Sequence, residues 1–201
     1  MTRMSDFLPA SFLNAPTGWP AGLEWPPPLP SLGPGPQKLG LKEIRNHLQE
    51  GNRGEAGATS GRSIPSAVEA GILLWFGHLD ASHELSQDLN DQQGSYWHGL
   101  MHRREPDHAN AAYWFRRVGS HSIFAQLAEV LAQVPWKSAA LAGRAARKAA
   151  WDPYWMNDCC EEARNGGSAS FVLELQGLQW AEYHLLLRDC FHGSRPSSRS
   201  L

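Results

Sequence analysis

Past residue 39 the apolar residues of this chain recur every three or four positions, and they almost never alternate, so the pattern predicts helices and no sheet. Leu41, Ile44 and Leu48 share one face of a short amphipathic segment over about 39–50. Ser66-x-x-Glu69 then has the form of a capping box, the serine accepting from a free amide while the glutamate reaches back, and opens a helix expected to run to about Leu89. Gly94-Ser95 breaks the chain, with Ser95 as cap of a short helix through Arg103 or Arg104 that Pro106 terminates. A further helix spans about 107–118, closed by Gly119, which takes a left-handed conformation without strain. Helices over about 122–134 and 138–150 follow, the first ended by Pro135 and the second rich in alanine. Asp152-Pro153 starts the next, with the acid at the cap and proline in the first turn, and Asn165-Gly166-Gly167 ends it. The last, about 168–190, carries Phe171, Leu175, Leu178, Leu185 and Leu186 at helical spacing. With no fixed repeat, the expected fold is all-α, a single-domain irregular helical bundle.

Ahead of the helices lies a different kind of segment. Nine of the 14 prolines precede residue 37, in runs such as Trp25-Pro26-Pro27-Pro28-Leu29-Pro30 that suit polyproline II and neither helix nor sheet interior. Residues 1–37 therefore read as an extended arm, 38–192 as the helical domain and 193–201 as a disordered tail. Phe7, Phe12, Leu13, Trp19, Leu23 and Trp25 are more apolar than a solvated tail needs, so the arm is expected to pack on the body, or on a partner, with Trp19 and Trp25 as anchors.

A formal charge of −2 over 201 residues gives no basic excess, which argues against a nucleic-acid or membrane-surface binder. The apolar run from Ala70 to Leu79 is far shorter than the roughly 20 residues that cross a bilayer. No secretory signal stands out at the start, and the expected location is cytoplasmic. Cys159, Cys160 and Cys190 have neither a disulfide framework nor CxxC spacing, and the adjacent pair reads as buried helix residues rather than a nucleophile.

The chemistry concentrates between Ser95 and His121, a run that holds four of the nine histidines and four arginines. His98 and His102, four apart, project from one helix face about 40° from each other, a spacing that lets two imidazoles bind one metal or form an acid/base pair. The HExxH signature is absent, since Gly99 follows His98. Asp80, His83, Glu84 and Gln87 lie on the preceding helix, and His83 is the first choice for a third ligand or proton-transfer partner, with Glu84 second. Two units, Glu105-x-x-His108 and Asp80-x-x-His83, imitate part of a di-iron site but lack the remaining carboxylates. His78, in an apolar run, reads as structural, and His184, Arg188 and His192 as a solvated stripe. The alternative for His98 and His102 is equally plain: core imidazoles satisfied by backbone carbonyls.

The stretch Trp97-His98-Gly99-x-Met101-His102-Arg103-Arg104-Glu105-Pro106-Asp107, followed by Asn110-Ala111-x-Tyr113-Trp114-Phe115-Arg116-Arg117-Val118-Gly119, resembles a block of an uncharacterised family of bacterial and fungal proteins. The similarity extends upstream through Leu79-Asp80-x-Ser82-His83-x-x-Ser86-Gln87. It implies no activity, and no catalytic role follows from it.

Two readings remain. In the first the protein is an enzyme acting on a small anionic molecule. His83, His98, His102 and Glu105 are then the catalytic set, and the three histidines hold a single transition metal, zinc or iron, or act in proton transfer. Arg103, Arg104, Arg116 and Arg117 bind carboxylate or phosphate, with Asn110 and Tyr113 adding neutral hydrogen bonds and Glu105 and Asp107 orienting the arginines. In the second, the same block is a structural network, partner surface or ligand-sensing pocket without turnover.

Overall fold

The structure is a computed structural model that describes residues 14–15, 19, 23, 30–33, 35, 37, 39–50, 64–147 and 150–193. Phe7, Phe12, Leu13, Trp25, the glycine-rich link at 51–63 and the tail beyond 193 lie outside the described residues.

Nine helices and no strand occur among them: α1 (Leu41–Glu50), α2 (Ser66–Trp75), α3 (Leu79–Gln87), α4 (Gln92–Arg104), α5 (His108–Val118), α6 (Ile123–Gln133), α7 (Ala139–Ala146), α8 (Pro153–Arg164) and α9 (Ala169–Gly193). Three are buried nearly all round. From Ala67 to Trp75 only Glu69 of α2 escapes burial, Gly94 to Arg104 of α4 is wholly buried, and α9 is buried over most of its length. These form the inner layer: α2 is apolar on nearly every side, while polar groups buried on α4 and α9 find partners in each other, as Arg103 and Tyr96 do in Glu182. Against them pack α3 and α5 on α4, α6 and α8 on α9, and α7 on α6. No described helix is long and apolar enough to cross a membrane.

The helix expected from Ser66 to Leu89 is two helices. Gly77 adopts φ 93°, its N–H bonds to Leu74 O and that of His78 to Leu73 O, the paired bonds that close a helix on a left-handed glycine. The chain turns there and restarts as α3, which places His83 against α4. The capping box is also absent. Pro65 occupies the cap position with no side-chain bond, Ser66 is already helical, and Glu69 instead pairs with Arg45 of α1 at 3.4 Å. At α4 the cap is Asp91 rather than Ser95, its carboxylate accepting from Gly94 N at 2.7 Å, so Gly94-Ser95 lies inside the first turn. Asp152 caps α8 and Gly119 (φ 61°) ends α5 as expected, and Asp107 and Ser138 also serve as caps, of α5 and α7.

The described part of the arm packs on this body. Trp19 sets an edge on Trp75 at 6.3 Å and donates to Leu23 O, and Leu23 and Leu32 are buried. Three side chains hold its carbonyls: Gln176 donates to Pro30 O, Gln179 to Ser31 O and Arg104 to Gly33 O.

Candidate functional site

α3 and α4 bring three imidazoles together. His83 meets His98 at 4.6 Å and His102 at 5.3 Å between ring centres, both edge-on, while His98 and His102 stack at 4.8 Å as the four-residue spacing requires. One ligand nitrogen from each lies within 4.8 Å of the others.

The nitrogens are not equivalent. His102 Nδ1 lies 3.1 Å from the Glu105 carboxylate one turn ahead and so carries the proton. That leaves a lone pair on Nε2, to which the Asn110 amide donates at 3.1 Å. Nδ1 of His98 is buried without a hydrogen-bond partner. Burial first, then the neighbouring His102, His83 and Arg117, push the His98 pKa down to about 3. Burial and His83 lower that of His102 as well, against the opposing pull of Glu105 and Asp107. Both rings are therefore neutral at pH 7, the form that ligates metal.

α5 covers the trio with one stripe. Asn110 reaches His102, Trp114 lies flat on His98 with ring centres 3.8 Å apart, and the Arg117 guanidinium sits 5.0 Å over the indole. Tyr113 is 47% exposed and touches only the Trp114 edge among rings, and Arg116 is exposed on the outer side.

Two of the arginines expected to hold an anion face inward. Arg103, with no exposure, donates to Glu182 at 2.5 Å and Gln179 at 3.1 Å, and Glu182 also accepts from Tyr96 Oη at 2.8 Å. Burial alone would lower the Arg103 pKa, but Glu182 overrides it and holds the guanidinium charged. Arg104 donates to the carbonyls of Leu74 and Gly33, linking α4 to α2 and the arm. Neither is available to an outside ligand. Glu105 and Asp107 do not orient them: Glu105 serves His102, and Asp107 caps α5 through Asn110 N. His108 is engaged with Asn157 and Arg164 rather than with Glu105. Glu84 and Gln87 are exposed.

His78 is structural, bonded through Nε2 to Leu39 O at 2.7 Å. His184 is buried against Trp180, not solvated, and its pKa is pushed down to about 3. Burial raises the Cys159 and Cys160 thiols to about 12 and 11, which leaves no thiolate nucleophile at neutral pH. Trp114 as the wall of His98 and Glu182 as the partner of Arg103 carry no signal in the sequence, since each acts through packing between helices.

Beside Glu105 opens a cleft of about 530 Å³, walled by Gly35 and Gln37 of the arm, by Gly77 to Ala81, and by Glu105 and Asp107.

No family model matches the chain, and no similar curated protein or solved structure was found.

Proposed function

We propose that His83, His98 and His102 bind a single transition-metal ion, zinc or iron, and that the protein is a metal-dependent enzyme acting on a small molecule. The observation that carries this reading is the convergence of three ligand nitrogens from two helices within 4.8 Å. Three protein nitrogens leave a tetrahedral ion one position for water or substrate. An ion so held supplies a Lewis acid and lowers the pKa of its water. The chain's own groups complete the setting. Glu105 fixes the His102 tautomer with the lone pair on Nε2, as an outer carboxylate does for a ligating histidine. The partnerless Nδ1 of His98 is a buried polar atom that an ion would satisfy. Zinc–nitrogen bonds of about 2.0–2.1 Å bring ligand atoms to roughly 3.3 Å from one another, so the trio closes by side-chain rotation and the Asn110 amide gives way at Nε2. A reducing, cytoplasmic setting suits the three free, buried cysteines.

The flat stacking of His98 between Trp114 and His102 favours a second reading, a non-catalytic packed network. Metal analysis of protein purified without chelator separates the two. One equivalent per chain, abolished by His98→Ala or His102→Ala, is expected. Folded wild type that stays metal-free after addition of zinc and of iron(II) leaves only the network.

A further inference from the structure

We propose that the open position of the ion takes a small carboxylate and that Asn110 recognises it, one carboxylate oxygen on the ion and the other accepting from the Asn110 amide. This names a substrate class for the metal site proposed above and rests on that reading. The first argument is charge. An imidazole ligates as a neutral donor, and among the described residues no carboxylate joins the three that converge. A divalent ion so held keeps its whole positive charge beside two buried ligands, His98 and His102, and calls for an anion at its remaining position. Glu105 is not that anion, because it meets Nδ1 of His102, across the ring from the lone pair on Nε2. Neither α4 nor α5 contains an acidic residue, and the two acids of α3, Asp80 and Glu84, are exposed and outside the converging set.

The second argument is the donor already in place. The Asn110 amide donates to Nε2 of His102 at 3.1 Å, so a hydrogen-bond donor stands where the ion is to bind. An ion that takes this lone pair pushes the N–H aside by rotation of the side chain, while the backbone stays fixed to the Asp107 cap. The displaced N–H remains next to the ion and needs another acceptor, which the second oxygen of a carboxylate on the ion supplies as a charge-assisted bond. Asn110 also heads the stripe of α5 that continues with Trp114 on His98 and the Arg117 guanidinium over the indole, so this wall offers donors and positive charge. It suits an anion and repels a cation. The recognition expected of Arg103 and Arg104, which face inward, thus falls to the ion and an amide.

The test loads the chelator-stripped full chain with cobalt(II), whose visible absorption reports its ligands, and titrates acetate, with acetamide as a neutral molecule of the same shape. Acetate should change the spectrum saturably, and acetamide should bind about tenfold more weakly or less. In Asn110→Ala the acetate affinity should fall about tenfold or more, the loss of one charge-assisted hydrogen bond. Cobalt(II) affinity, read against a chelator, should hold or rise in that variant, because the amide no longer competes for Nε2. The backbone N–H of residue 110 keeps its bond to the Asp107 cap, so the variant folds. Acetamide binding as tightly as acetate, an acetate affinity unmoved in the variant, or a cobalt(II) affinity that falls with it would overturn the proposal. Wild type that takes up no cobalt(II) defeats the metal reading itself. Wild type that takes it up and ignores acetate defeats this inference alone.

Discussion

The imidazole of His98 lies on the indole of Trp114, ring centres 3.8 Å apart and planes 16° from parallel. Together with burial this contact keeps water from a ring that would otherwise take a proton near pH 6.5. His184, buried against Trp180, is held neutral by burial in the same way, and both have pKa values near 3.

Acid should therefore destabilise the fold well before the carboxylates titrate. With folded pKa values depressed, the unfolded chain binds more protons below about pH 6.5, so stability falls as pH drops from there toward 3. Each of these histidines contributes a slope of up to about 1.4 kcal/mol per pH unit. The urea midpoint should be clearly lower at pH 5 than at pH 7.5 with an unchanged slope. Equal midpoints would mean that these rings are protonated in the folded state.

Glu105→Gln should lower metal affinity about 10–100-fold, as loss of an outer-shell carboxylate does, without unfolding the protein, because the side chain is exposed. Competition against a chelator of known affinity reads this directly. An unchanged affinity would show that the bond to His102 does not serve the ligand.

Removing one partner of the Arg103–Glu182 pair leaves a buried charge uncompensated, and Glu182→Ala is expected to cost about 3–5 kcal/mol. Glu182→Gln, which keeps one acceptor oxygen for Arg103, should cost less. Chemical denaturation checks the order, and a loss under about 1 kcal/mol for the alanine variant would contradict the burial of the pair.

Two helical glycines should respond oppositely to alanine. A Cβ at Gly99 would lie 2.6 Å from the Phe115 ring, which is 1% exposed and cannot move aside, so Gly99→Ala should destabilise by about 1–3 kcal/mol. At Gly143 the nearest atom is the end of the Arg147 side chain at 3.5 Å, and the substitution should stabilise by about 0.5–1 kcal/mol. A thermal melt of Gly99→Ala at or above that of the wild type would refute the α4–α5 contact, and a lowered melt of Gly143→Ala would refute the open space at α7.

What the sequence made legible was local. The cap at Asp152 and the glycine at 119 act within one turn, and each formed. His98 and His102 were brought together by helical spacing alone, whereas His83 joins them through a turn at Gly77 hidden inside an apolar run. Arg103 read as a ligand-binding residue because its partner lies 79 positions away, on a helix where Glu182 is one acid among leucines. Nothing short of the α4–α9 packing decides whether such a guanidinium points out or in.

The carbonyls of Pro30 and Ser31 are held by donors 146 and 148 residues further along the chain, and that of Gly33 by one 71 residues away. The first two close the longest hydrogen-bonded loops described, and all three need donors that α4 and α9 must hold in place. The docking of residues 30–33 therefore depends on a body whose helices are already in place. Gly35 and Gln37, close behind those residues, form one wall of the cleft. The cleft is thus complete only when this segment is docked, so its full shape belongs to the assembled body and not to any one helix.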